Sequence, residues 1–296
     1  MKEFNQEMPQ SPVQPIELGL DDNIQFQCHK GIACFNKCCE SIEITLTPYD
    51  IIRLKTRLKL MSKEFVSIYT VPFQMDGQGM PGLKLITQPG TTACTFLTPE
   101  GCGVYEDRPT ACRYYALGNM GLHKKDSTTV EDIYFLVKED HCLGHNEPRT
   151  ITIRDYRKEQ GVEKYDQMNR EWRELVLKKR SAGPTVGAPS SRSMQLFDMC
   201  SYDLDSFRDF IQAEGFRTMF DIEDAALERL VKDDEALFAF AIQFLRQVLF
   251  GEHSIPFKQG ARERRIAERK ENWEKRRKLE IERFREQDQF SEEGPG

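Results

Sequence analysis

Four cysteines within twelve residues, Cys28, Cys34, Cys38 and Cys39, constrain this chain more than any other feature. Four more, Cys94, Cys102, Cys112 and Cys142, follow in the first half, while the ninth, Cys200, stands apart. Metals require deprotonated sulfur held at defined distances, and thiolates close in sequence give local chelates at little loop-closure cost. A lone buried cysteine behaves as a small hydrophobe, the role expected of Cys200. The opening MKEFNQEMPQSPVQP has no apolar core of the kind that marks a secretory signal. The cysteines are therefore expected in a reducing compartment, as metal ligands or redox groups rather than as disulfides.

The rest of the composition narrows the function classes. A chain of 296 residues with 39% hydrophobic content is long enough to build a sizeable core. Its net charge of -6 argues against a generally basic nucleic-acid binder. No apolar run reaches the roughly 18 residues that a membrane helix needs. The richest stretch, 236–250, is broken by Gln243, Arg246 and Gln247. The expectation is a cytoplasmic protein that neither crosses a membrane nor binds nucleic acid.

Along the chain the signals predict an α+β protein: a small, turn-rich cysteine domain with short strands, then helices, then a long charged helix. Residues 1–20, with Pro9, Pro12 and Pro15, read as a flexible arm, and 21–150 as the cysteine-cluster domain. Within that domain, 23–28 alternates like a strand, 42–46 looks like another, and LKLIT and IYFLV are strand-like runs between turn residues. Thr47-Pro48-Tyr49-Asp50 is a helix start, with Thr47 to cap, Pro48 at the first position and Asp50 at the positive end of the dipole. Ser62 opens a second short helix. Residues 151–180 are a helical extension, 181–193 (SAGPTVGAPSSRS) a linker, and 194–258 a helical region. There, Asp221 with Asp224, then Asp233 with Asp234, start two helices, and Gly251 stops the second. The tail, 259–296, contains 261–290, where opposite charges interleave at helical spacing. It reads as a solvated, salt-bridged helix or as a docking helix for a protein partner.

The eight clustered cysteines divide into two sets of four, the number used by a structural zinc site or a cubane iron–sulfur cluster. In extended backbone, Cys38 and Cys39 point to opposite faces and serve two different centres, unless one is a spare thiol; a helical or tight-turn backbone lets both reach one cluster. Only Cys34-x3-Cys38 has the paired spacing of a zinc knuckle. The irregular gaps of the others suit a bulkier cluster reached from several loops, which favours iron–sulfur over zinc. His29, His141 and His145 are expected in supporting roles. Arg108 and Arg113 flank Cys112 and either offset cluster charge by hydrogen bonding to sulfur or pair with Glu106 or Asp107.

The run C-x5-C-x3-CC, followed by GCGVYEDRPTACRYY, resembles the CxxCxxCC cysteine-cluster family, described as zinc- or iron-chelating. The matching positions are Cys102, Val104, Tyr105, Arg108, Pro109, Cys112, Arg113 and the tyrosine pair that follows. The Cys28–Cys34 gap is wider than the family's usual spacing. The region from SYDLDSFRDF to FLRQVLFGE looks like an extension found in some bacterial members. Flagellin lysine N-methylases are similar in their cysteine cluster, which implies an iron–sulfur site and methyl transfer. No glycine-rich loop after a strand supports S-adenosylmethionine binding independently, and Ser41 stands where a radical C-x3-C-x2-C motif needs its third cysteine. The reading is therefore a metal-binding protein with Cys28, Cys34, Cys38, Cys39, Cys94, Cys102, Cys112 and Cys142 as ligands to iron–sulfur or zinc. An iron–sulfur-dependent methyltransferase or redox enzyme, a zinc-stabilised interaction module and a metal-delivery protein are the competing roles.

Overall fold

Helix α1 (Pro48–Leu58) begins where the sequence places it. The Thr47 hydroxyl accepts from the Asp50 amide at 3.2 Å and the Asp50 carboxylate accepts from the Thr47 amide at 2.8 Å, a reciprocal capping box. Lys59, in the left-handed conformation, ends the helix. Ile51, Ile52 and Leu54 form its buried stripe, and an eleven-residue helix holds its shape only when such a stripe meets other elements. Those other elements come from the far half of the chain.

The computed structural model describes residues 11–77, 79–123, 130–181 and 190–267, together with 270, 274 and 277. Strand β1 (Asn23–Gln25) is followed by β2 (Thr45–Leu46), α1, α2 (Ser62–Tyr69), β3 (Thr70–Gln74) and β4 (Pro81–Leu85). The β2, β4 and β3 strands form an antiparallel sheet in that order. A two-residue ladder joins β5 (Leu97–Thr98) to β6 (Gly101–Cys102), and α3 (Thr110–Tyr114) follows. Then β7 (Leu117–His123) and β8 (Val130–Leu136) make a hairpin, and β9 (Thr150–Thr152) returns to pair with β1. From there the chain is helical: α4 (Ile153–Gln160), α5 (Val162–Ser181), α6 (Ser191–Tyr202), α7 (Leu204–Gln212), α8 (Glu214–Arg217), α9 (Asp224–Lys232) and α10 (Asp234–Phe250). The class is α+β. Gly161 and Gly251, both at positive φ, stop α4 and α10.

One apolar core runs through most of this. Leu46, Leu54 and Phe65 pack in the same cluster as Trp172, Phe197, Phe207 and Phe238. The segments 21–150 and 194–258 therefore share a core, and neither buries its apolar face alone. A second, smaller cluster joins Ile24, Phe26, Tyr114, Tyr134, Ile153 and Tyr156. Residues 12–18, which composition assigns to a loose arm, are hydrogen-bonded along β8: Gln14 and Leu18 donate to Leu136 and Tyr134 at 2.9 and 2.8 Å. Residues 1–10 of the expected arm, 182–189 of the linker and most of the charged 261–290 stretch lie outside the described residues. Residues 261–267 are helical. Among the described residues no helix is long and apolar enough to cross a membrane.

A buried ionic knot ties α1 and α2 to α7 and α10. Lys55, 6% exposed, contacts Asp205 at 3.1 Å and Asp234 at 3.0 Å. Asp205 also accepts from the Ser62 amide at 2.6 Å, at the first residue of α2, and from Arg208 at 2.5 Å.

Candidate metal centre

Three separate loops carry the eight cysteines, and each loop is held by backbone bonds. The first leaves β1 at Phe26 and turns at His29–Ile32. It then passes Asn36, at φ 70°, into a single 3-10 turn over Lys37–Cys39. That turn corrects the expectation of an extended Cys38–Cys39 pair. The two sulfurs do not diverge to opposite faces but lie 4.0 Å apart, because three residues per turn set adjacent side chains about 120° apart instead of the alternation of a strand.

The second loop docks on the first. The Cys94 amide donates to the Cys39 carbonyl at 2.7 Å. The β5–β6 ladder then sets Cys102, and an ideal side chain at Gly101 would meet the Phe35 ring at 3.6 Å. Cys112 sits on α3, whose start is fixed by Asp50. This fully buried carboxylate accepts from the Thr110 amide at 2.8 Å and the Thr110 hydroxyl at 2.7 Å while also capping α1. The third loop brings Cys142 to the end of β1: the Gln27 amide donates to the Gly144 carbonyl at 3.0 Å, and the Leu143 amide to the Cys34 sulfur at 3.2 Å.

The thiols form two neighbourhoods. Desolvation pushes the Cys28 thiol up to about 11, and the next contributions are the charges of Cys38, Cys34 and Cys142. Burial raises Cys142 as well, with Cys34 and Cys38 adding to it. In the other group, burial lifts Cys112 far above its ordinary value, and Cys94, Asp50, Cys102 and Cys38 add to the effect. Burial also raises Cys94 and Cys102. Cys39 is raised first by donating its proton to Cys38 and then by burial, with Cys112 and Cys94 among its other neighbours. Cys38 is correspondingly lowered, chiefly by that hydrogen bond. Cys28, Cys34 and Cys142 thus influence one another, as do Cys39, Cys94 and Cys112, and Cys38 acts on members of both groups. Cys200 is completely buried in the large apolar core.

Among the described residues, no group of three or more histidine, cysteine, aspartate or glutamate side chains is drawn together closely enough to hold a metal ion. The donor set nonetheless suits a soft metal. Crowded, partly desolvated thiols gain most from a cation that takes their protons' place. Backbone amides already point at sulfur, Leu143 to Cys34 and Phe96 to Cys94 at 3.4 Å. Such bonds stabilise thiolate ligands.

The arginines differ from expectation. Arg113 donates to the carbonyls of Arg108 and Gln160 at 3.0 and 2.8 Å, and its guanidinium lies 4.1 Å from the Tyr165 ring centre. Arg108 donates to the Tyr105 carbonyl and the Gln160 side chain at 2.8 and 2.7 Å. Neither bonds to sulfur, and neither pairs with the carboxylate of Glu106 or Asp107; of these two residues Arg113 reaches only the Glu106 carbonyl, at 2.5 Å, and Asp107 is taken by Arg53 and Arg57. The two arginines instead lock the α3 segment to the end of α4. The Arg108 charge still lowers both Cys28 and Cys102, so it serves thiols of both groups. Arg57, which also favours the Cys102 thiolate, went unnoticed in the sequence because it lies on α1, 45 residues away. The histidines are engaged elsewhere: His29 with Glu147, His141 with Glu139, and His145 with the Val137 carbonyl.

Gly144 marks how closely the third loop is seated. A side chain there would meet the Phe26 ring at 2.7 Å and the Gln27 carbonyl at 2.9 Å. Gly144→Ala is expected to destabilise the protein by about 1–3 kcal/mol through overpacking. Gly118→Ala, where the nearest atoms stand at 3.7–3.9 Å, is expected to leave stability nearly unchanged. Thermal denaturation of the two variants measures the difference, and equal midpoints would contradict it.

Residues 27–143 match the family model of the CxxCxxCC domain, described as zinc- or iron-chelating. No curated protein and no solved structure matches the chain.

Proposed function

We propose, from residues 27–143 belonging to the CxxCxxCC family, that this protein holds metal in two adjoining four-thiolate sets. Cys28, Cys34, Cys38 and Cys142 make one, and Cys39, Cys94, Cys102 and Cys112 the other. The observation that carries the reading is the docking of the loops: the Leu143 amide on the Cys34 sulfur at 3.2 Å brings Cys142 to the first loop, and the Cys94 amide on the Cys39 carbonyl at 2.7 Å brings the second loop to Cys39. The adjacent pair then divides between the sets without its sulfurs having to point apart.

Iron–sulfur is the preferred occupant. The ligands of each set come from two or three loops with irregular gaps, whereas structural zinc favours short paired knuckles. A bound iron–sulfur cluster supplies one-electron chemistry or a rigid cross-link between loops. The protein's part is to hold the loops through Asp50, Gly144 and the two arginines, and to set the Arg108 charge beside both sets.

The test is purification without oxygen, followed by visible absorption and by iron, acid-labile sulfide and zinc analysis. Brown protein with iron and sulfide in equal amounts is the expected result. Colourless protein containing zinc alone would replace iron–sulfur by a pair of structural zinc sites, and protein free of both metals would overturn the reading.

A further inference from the structure

The helical half contains a cavity of about 560 Å³ that the cysteine chemistry does not use. It opens between α6, α7, α8 and α10 and the segment that follows α10. Its walls are mostly apolar, among them Leu196, Phe210, Phe216, Phe220, Phe244 and Phe257. The aromatic rings interlock, with Phe216 and Phe220 4.5 Å apart and Phe216 and Phe244 5.9 Å apart between centres. This size and lining are those of a small-molecule pocket, in which a few polar groups orient an otherwise apolar ligand.

The polar groups here are of one kind. Arg192, Arg262 and Arg265 line the cavity together with Gln247, and among the described residues none of its walls is acidic. Arg262 lies 5.0 Å from the centre of the Phe257 ring. Among the described residues, neither Arg192 nor Arg262 is paired with a carboxylate. The Gln247 carbonyl oxygen is occupied by the Ile255 amide at 2.9 Å, which leaves its Nε2 buried without a hydrogen-bond partner. A buried donor without an acceptor is costly, and native structures rarely leave one so. The cavity therefore offers an apolar interior and only donors. The complementary molecule has an apolar body and an anionic acceptor, and a carboxylate matches the planar fork of arginine.

We infer that this cavity binds an apolar monocarboxylate of the fatty-acid kind. The site is independent of the metal reading, since none of its walls is a cysteine or lies in residues 27–143.

Titration calorimetry of the full chain with laurate, below its micelle threshold, tests this, with dodecanol and dodecyltrimethylammonium as neutral and cationic counterparts. Saturable one-site laurate binding is expected, at least tenfold tighter than dodecanol, with no binding of the cation. The double variant Arg192→Gln/Arg262→Gln, altered only at exposed positions, is expected to lose at least tenfold in laurate affinity while binding dodecanol as before. Leu196→Trp, which fills the cavity, is expected to abolish both. Should that variant misfold, as circular dichroism would show, the arginine pair and the three-ligand comparison still decide. Absence of saturable laurate binding, equal affinity for laurate and dodecanol, or undiminished laurate binding by the arginine variant would each overturn the assignment.

Discussion

Replacing Asp205 by alanine is expected to lower stability by about 3–5 kcal/mol, the cost of leaving a buried charge without its partner. Lys55 and Asp205 are both nearly buried, at 6% and 8% exposure. Asp205 gathers Lys55, Arg208 and the Ser62 amide, so its loss strips an acceptor from three donors at once. Asp234 remains within reach of Lys55 at 3.0 Å, which places the effect toward the lower end of that range. The same geometry sets a pH dependence. Burial alone would raise the Asp205 carboxyl, but hydrogen bonds from Ser62, Arg208 and Lys55 outweigh it and hold the group well below the usual carboxylate range. A depressed folded-state value means that the contribution is complete above the unfolded value of 3.8 and is lost as pH falls further toward the folded one. Urea denaturation at pH 7 and below pH 4 measures both effects. Asp205→Asn, which keeps an acceptor for the Ser62 amide, is expected to fall between wild type and alanine. A change under about 1 kcal/mol for alanine would place this contact among ordinary surface pairs instead.

Removing the metal is expected to cost a comparable amount. A metal present at about 1,000 times its dissociation constant contributes about 4 kcal/mol by mass action. For a chain of this size that corresponds to a fall in midpoint of about 8–16 °C. The apo protein is nevertheless expected to remain folded, because most of the main core lies outside the thiol loops. Leu54, Phe65, Trp172, Phe207 and Phe238 pack together in a cluster that Cys94 joins and that Cys39 and Cys102 only flank. The loss should concentrate in residues 28–40, 94–109 and 138–145, which are turns, bends and one two-residue ladder. Scanning calorimetry before and after chelation, with hydrogen exchange to locate the change, measures this. An unchanged midpoint, or collapse of the whole chain, would contradict it.

What the sequence reveals and conceals follows from the range of the interactions. The α1 start is legible because Thr47, Pro48 and Asp50 act within one turn. Gly251 is legible for the same reason, as are the Asp233 cap of α10 and the strand-like runs of β4 and β8. The eight cysteines point to metal chelation by number and spacing alone. Their division is less legible, since it depends on Cys142 returning to Cys34 across 108 residues and on Cys94 docking beneath Cys39. The Cys38–Cys39 turn is not legible, because the left-handed Asn36 that precedes it carries no glycine signal. Arg108 and Arg113 were read through their sequence neighbours, whereas their partners Gln160 and Tyr165 lie on α4 and α5. The shared core was hidden by the linker composition of 181–193, which suggests separation where α6 in fact packs directly on α10 and α5.

The central claim is that the eight thiols form two sets of four joined at Cys38 and Cys39. The direct measurement is the metal content of two triple variants purified without oxygen, Cys28→Ser/Cys34→Ser/Cys142→Ser and Cys94→Ser/Cys102→Ser/Cys112→Ser. Each variant is predicted to retain about half of the wild-type metal, because each leaves the opposite set intact. Complete loss of metal in both variants would reduce the eight ligands to a single centre, and full retention in either would remove its three cysteines from the ligand set.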